Sequence, residues 1–281
     1  MTYSAEISRN HPTCFLFLVD QSGSMEDKFP GGGRSKSQVV ADVLNKTLFT
    51  LITRCTKSDG VRNYFDVGVI GYGADSSYNG FSGTLGNAIL HPITDIESGP
   101  LMIEERVKQI DDGAGGIIEQ KIKFPVWFKP QASGSTPMCQ AIRSAAKELV
   151  QWCDSHTSSY PPTVLHVTDG ESTDGDPEAL AKQLCQISTQ DGSILLFNLH
   201  ISTVGSDRSK FTASEDNLVD HYAKLLFRMS SQLPQHLIDY ALSKGIPVTP
   251  ASRGFIFNAE PAEIVDFFDI GTRALQLQAQ R

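Results

Sequence analysis

Residues 15–24 read Phe15-Leu16-Phe17-Leu18-Val19-Asp20-Gln21-Ser22-Gly23-Ser24, five apolar side chains running without a break into a polar loop. A short continuous apolar run suits a strand covered on both faces; five such residues also fit a buried helix, but the abrupt polar end favours the strand. From Lys36 to Arg54, the apolar positions Val39, Val40, Val43, Leu44, Leu48, Leu51 and Ile52 recur at helical spacing, with Ser35 or Ser37 available as a cap. The chain therefore opens as strand, polar loop, helix.

The same alternation continues. The sequence predicts a strand over 65–72 and a helix over 138–153, with Met138, Ile142, Ala145, Leu149 and Val150 on one stripe. A strand over 163–168 ends at Asp169-Gly170, and Asp176-Pro177-Glu178 supplies a cap, a first-turn proline and an acidic first turn for a helix to about 188. Further strands are expected over 194–203 and 254–258, and further helices near 217–229, 234–243 and from 261. This order predicts an α/β fold: a doubly wound, mostly parallel sheet flanked by helices, in a single domain spanning 1–281. Residues 74–131, rich in Gly, Ser and Pro, read as one antiparallel edge strand plus a decorated insertion; they hold a short helix near 103–110 and a strand-like segment over 121–128.

With 281 residues, 40% of them hydrophobic, the chain can bury a full core. A formal net charge of −8 and the lack of Lys/Arg clusters argue against a nucleic-acid partner, because that binding rests on neutralising phosphates. The first residues lack a basic start followed by an apolar core, and no apolar run approaches the roughly 20 residues of a membrane span. Cys14, Cys55, Cys139, Cys153 and Cys185 are odd in number and scattered in apolar stretches, so they read as small buried hydrophobes in a reducing compartment. A cytoplasmic location is the expectation.

Asp20-x-Ser22-x-Ser24 sets three oxygen-bearing side chains at alternating positions, which a locally extended loop would point the same way. A carboxylate with two hydroxyls suits Mg²⁺ or Mn²⁺ better than zinc or copper. Alone, the pattern is more often an Asx or Ser turn and helix cap. Gly134-Ser135-Thr136-Pro137 is equally explained by Thr136 as a helix cap and Pro137 at the first helical position, and Asp169-Gly170 by a turn. Yet all three pieces fall in predicted strand-to-helix loops, where the ligands of such sheets bind.

Taken together, FLFLVDQSGSM, SGSTPMCQAI and VLHVTDGESTD resemble the von Willebrand factor type A (VWA) domain, whose metal-ion-dependent adhesion site (MIDAS) is a D-x-S-x-S motif, then a Thr, then an Asp. The resemblance implies a Rossmann-like VWA fold with Asp20, Ser22, Ser24, Thr136 and Asp169 around one Mg²⁺ or Mn²⁺. Ser22 and Ser24 would ligate through hydroxyls, Thr136 directly or through water, and the two aspartates directly or through bridging waters. A Glu or Asp carboxylate from a protein partner would complete the shell. The chain is similar to bacterial intracellular stand-alone members, tellurite-resistance-type proteins among them, which implies Ser/Thr kinases, PP2C-type phosphatases or MoxR-type AAA+ ATPases as partners and a role in phospho-signalling or stress response. The closing RGFIFNAEPAEIVDFFDIGTRAL is part of that similarity.

Two departures stand out. The stretch from Asp20 to Thr136 is longer than in compact adhesion domains, in keeping with the insertion over 74–131. The segment Gly31-Gly32-Gly33-Arg34-Ser35-Lys36 lengthens the loop after the first motif; it does not match G-x-x-x-x-G-K-[ST] and reads as a flexible connection. Asp176 reads as a helix cap, Glu26, Asp27, Glu171 and Asp174 as solvated charges, and His166 and His200 as hydrogen-bonded core histidines. No nucleophile–base motif is present. The expected function is therefore a non-enzymatic, metal-dependent protein-binding module; the alternatives are a metal-assisted phosphoester hydrolase and a scaffold whose ion is purely structural.

Overall fold

Strand β1 (Thr13–Asp20) is buried along its whole length, and its two faces feed two different cores. Phe15, Phe17 and Val19 belong to one cluster, while Cys14, Leu16 and Leu18 belong to the other. That is the period-2 alternation of a strand sandwiched between helical layers. Burying each such side chain contributes about 1.5–3 kcal/mol, so an unbroken apolar run is stable in a strand covered on both faces.

In this computed structural model, which describes residues 3–29, 33–111, 117–201 and 208–273, the chain continues through α1 (Lys36–Cys55), a small hairpin of β2 (Thr56–Lys57) and β3 (Gly60–Val61), and β4 (Phe65–Gly73). Next come β5 (Ser76–Asn79), β6 (Leu90–Pro92), α2 (Ile93–Ser98), β7 (Met102–Asp111), β8 (Ile117–Val126) and α3 (Met138–Ser155). Then follow β9 (Thr163–Thr168), α4 (Glu178–Leu184), β10 (Leu195–Ile201), β11 (Ser209–Lys210), α5 (His221–Met229), α6 (Gln235–Ser243), β12 (Phe255–Ala259) and α7 (Pro261–Gly271).

The central sheet runs β11-β12-β10-β9-β1-β4-β5, and β4, β1, β9, β10 and β12 are mutually parallel. Buried residues of α1, α2, α6 and α7 pack on the face of Phe15 and Phe17, where Phe17 meets Phe268 edge-on at 5.3 Å. Buried residues of α3, α4 and α5 pack on the opposite face. The fold is thus mixed α/β with a mainly parallel sheet between helical layers. Strand order reverses at β1: β4 is added on one side and β9 on the other, so the carboxyl ends of β1 and β9 flank the switch point where such sheets open a ligand crevice.

Two expectations are corrected. Instead of one antiparallel strand there are three in this sheet: β5 and β6 share β4 along its length, and β11 lies on β12. Both flanks of a parallel core leave unpaired backbone groups, and these short strands satisfy them. The predicted helix near 103–110 is strand β7, paired with β8 from Met102↔Val126 to Asp111↔Ile117 as a separate two-stranded sheet. Ile103 and Val107 are four residues apart, a spacing shared by one helix face and one strand face; pairing with β8 decides between them.

The helix at 178 ends at Leu184, earlier than expected. Residues 202–203 of the expected fifth strand, Gly31 and Gly32 of the lengthened loop, and the end of the closing segment from 274 lie outside the described residues. Among the described residues no helix is long and apolar enough to cross a membrane, and all five cysteines are free.

Candidate functional site

Asp20 ends β1 and Asp169 follows β9, and because the two strands pair in register up to Val19↔Val167 the two residues emerge side by side. Close packing of backbone holds the first loop against β4. A methyl group on Gly73 would stand 2.4 Å from the Gln21 carbonyl oxygen, so only glycine allows this approach. The third loop is tied in by backbone bonds, Gly23 N–H to Gly134 O at 3.0 Å and Ser133 N–H to Gln21 O at 2.8 Å, and Thr173 N–H donates to Thr136 O at 3.0 Å.

All five candidate side chains belong to this knot of loops. Ser22 Oγ lies 3.2 Å from Ser24 Oγ, and Ser24 Oγ donates to Asp169 Oδ1 at 2.7 Å. Asp20 sits beneath them with both carboxylate oxygens occupied, Oδ1 by the Ser22 amide and Oδ2 by the Thr168 hydroxyl, each at 2.8 Å. A methyl built on Gly170 would stand 3.9 Å from Thr136 Oγ1 and 4.0 Å from Ser24 Oγ, so both hydroxyls border Gly170. Thr136 does not cap α3; Asp174 does, accepting the Cys139 and Gln140 amides at 2.9 Å each. Asp174 is exposed, as expected of a solvated charge, and in addition caps this helix. Its carboxyl is held below the usual range by those amides, against the opposing effect of burial.

Burial pushes the Asp20 carboxyl up to about 6, against the hydrogen bonds from Ser22 and Thr168 that favour its charged form; nearby Asp169 pushes it further up. The protein itself supplies one cation beside this pair, on Asp169. Lys36 Nζ lies 2.8 Å from Asp169 Oδ2, with both side chains almost wholly covered. Sequence reasoning missed Lys36 as a site residue. Its signal was available: a lysine in the first turn of a helix, where the helix dipole disfavours cations.

Below the site a polar relay crosses the sheet. The Asn198 amide donates to Ser230 Oγ at 2.9 Å, which turns its Oδ1 toward His166 Nδ1 at 2.8 Å. His166 Nδ1 therefore carries the proton, and Tyr72 O–H donates to Nε2 at 2.6 Å. Burial holds this imidazole down at about 4. Tyr72 is the register partner of Asp20, so the relay ends under the candidate carboxylate. His166 is thus the hydrogen-bonded core histidine expected from the sequence. His200 is likewise a buried core histidine: it stacks on Phe257 at 4.4 Å and its ring hydrogen-bonds with the Asn258 side chain, while Nδ1 finds no partner among the described residues.

No family model matches this chain, and no curated protein matches it. Among solved structures, the pilus adhesin SpaC from Lactobacillus rhamnosus GG is similar over 95% of this chain and 32% of its own, at 14% identity and a TM-score of 0.49. The PilB minor pilin from Streptococcus sanguinis is similar over 93% of this chain and 60% of its own, at 10% identity and a TM-score of 0.44. The chain thus spans about a third of the first and 60% of the second. The resemblance to the VWA family is corrected accordingly: no family or curated match supports it, and the similar structures are a pilus adhesin and a minor pilin. The MIDAS name falls with it. Among the described residues no group of three or more His, Cys, Asp or Glu side chains is placed to hold a metal ion. The cluster has only two carboxylates, and its remaining oxygens are hydroxyls.

The cluster's chemistry stands apart from any family name. Magnesium–oxygen bonds of about 2.0–2.1 Å in an octahedron set neighbouring oxygens about 2.9 Å apart. The Ser22–Ser24 and Ser24–Asp169 separations of 3.2 and 2.7 Å bracket that value. Asp20 has both oxygens hydrogen-bonded and would reach such an ion only through water.

Proposed function

We propose that this chain is a non-enzymatic binding module in which Ser22, Ser24, Asp169 and Thr136, backed by Asp20, hold one Mg²⁺ or Mn²⁺ and present it to a Glu or Asp carboxylate of a protein partner. The observation that carries the reading is the meeting of five oxygen-bearing side chains from three loops at the switch point of the sheet, two of the oxygen separations matching an octahedral edge. Two carboxylates roughly balance a divalent charge, while neutral hydroxyls leave the ion short of a strong anionic ligand. We place the module in a reducing, cytoplasmic setting, supported by its free cysteines, as one domain with residues 74–131 inserted. Kinases, phosphatases and ATPases, implied only by the corrected resemblance, form no part of the proposal.

A second reading is favoured by one observation. Lys36 already neutralises Asp169, so the loops can be held by an internal ammonium, in a scaffold without partner capture. Calorimetric titration of Mn²⁺ and Mg²⁺ into the full chain, D20A and S22A, followed by binding of an acidic peptide with and without EDTA, separates the two. Uptake near one ion per chain, lost in both variants, with EDTA-sensitive peptide binding, is expected. Uptake without peptide binding leaves the scaffold; unchanged uptake in the variants overturns the site.

A further inference from the structure

We infer that Lys36 sets the cation affinity of this site: its ammonium is a built-in counter-ion for Asp169 that a divalent ion must displace, so cation capture is coupled to the start of α1. The inference rests on the cation-binding reading above. Lys36 is the first residue of α1 and is 4% exposed, although lysine is almost never buried without a partner and a cation is disfavoured at a helix N-terminus. Its contacts explain the placement. Nζ lies 2.8 Å from Asp169 Oδ2, 3.4 Å from the Ser24 carbonyl oxygen and 3.5 Å from Asp27 Oδ2.

The ammonium therefore sits on a carboxylate that an ion held between Ser22, Ser24 and Asp169 would share. Two cations at that separation in a covered site repel strongly, and the lysine is the mobile one. Asp27 gives it somewhere to go. That carboxylate is 64% exposed, already within reach of Nζ, and on a loop bonded to Lys36 itself through Lys36 N–H to Asp27 O at 2.9 Å. Moving from Asp169 to Asp27 keeps the ammonium paired, while Asp169 exchanges lysine for the divalent ion. Neither aspartate is left buried without a partner, an arrangement that would be strongly destabilising. The metal-free and metal-bound states thus differ in which aspartate Lys36 holds.

The test is calorimetric titration of Mn²⁺ into the full chain, K36M and K36R, with circular dichroism to verify each fold and thermal midpoints recorded in EDTA. K36M is expected to bind Mn²⁺ about tenfold tighter or more, within the ordinary range of coupling between two sites. K36R should stay near the wild type, and K36M should melt lower without metal. Uptake by K36M with a silent wild type also supports the inference. Equal affinities in wild type and K36M overturn the role of Lys36 and leave the cation site standing, whereas no uptake in any of the three overturns the site as well. Should K36M not fold, K36Q takes its place. D27N supplies an independent arm: weaker Mn²⁺ binding in the wild-type background and none of that effect beside K36M is expected, and an unchanged wild-type affinity overturns the displacement to Asp27.

Discussion

His166 shows how a single buried side chain makes stability depend on pH. Its imidazole titrates at about 4 in the folded chain, against 6.5 when exposed, because burial removes the water that would solvate its charge. Between those values the unfolded chain binds the extra proton, so the contribution of His166 is fully present above pH 6.5 and is lost as pH falls toward 4. Asp20 runs the other way: its folded carboxyl sits at about 6 against an ordinary 3.8, so its protonated, stabilising form is lost as pH rises through that window. The two are separable by subtraction. Across pH 6.5 to 4 the stability difference between wild type and H166Q is expected to shift by about 3 kcal/mol, read from urea unfolding at each pH. A difference independent of pH would show that the Tyr72–His166–Asn198 relay accepts a proton without penalty.

Among the elements, α1 does more than cover the sheet. Asn45, on its buried side, accepts the amides of Trp127 and Phe128 through Oδ1 and donates to the carbonyls of Ala41 and Phe128 through Nδ2. It therefore fastens the strand-to-loop return after β8, the segment that leads to Thr136. N45A should destabilise the fold by about 3 kcal/mol, since buried amides left without acceptors cost about 1–3 kcal/mol each; chemical denaturation checks it, and a loss under about 1 kcal/mol would mean water replaces the side chain. How much was legible differs by element. β1, β9 and α3 announce themselves because one physical demand, burial on two faces or on one stripe, dominates each. Residues 103–110 do not, because Ile103 and Val107 satisfy strand and helix alike until β8 pairs with them. The five candidate oxygens were visible as a spaced motif and Lys36 as an out-of-place first-turn cation, whereas their partners, Asp169 for Lys36 and Thr168 for Asp20, come from elements distant in sequence, which no local pattern records.

For the whole molecule, the β7–β8 hairpin stands apart from the central sheet as a two-stranded sheet of its own. Where Glu105 faces Lys123, the next pair outward is Arg106 and Ile122, and an ion pair to α1 from there, among the described residues, is the partly buried Arg106–Asp42 pair at 2.8 Å. Such pairs are worth about 0–1 kcal/mol. Replacing 106–122 by Asn-Gly, the two-residue turn that matches strand twist, should leave the unfolding free energy within about 1 kcal/mol of the parent; a larger loss would reveal that the hairpin stabilises the sheet.

The small antiparallel strands at the two flanks of the sheet have a consequence for self-association. β5 and β6, of four and three residues, cover β4, and β11, of two, covers part of β12, so neither flank offers a long template for a neighbouring molecule to extend. The hairpin offers one, with Ile103, Val107 and Ile118 open to solvent. Fibre-like growth on prolonged incubation accordingly starts there, and the trimmed chain stays free of turbidity under conditions that cloud the parent.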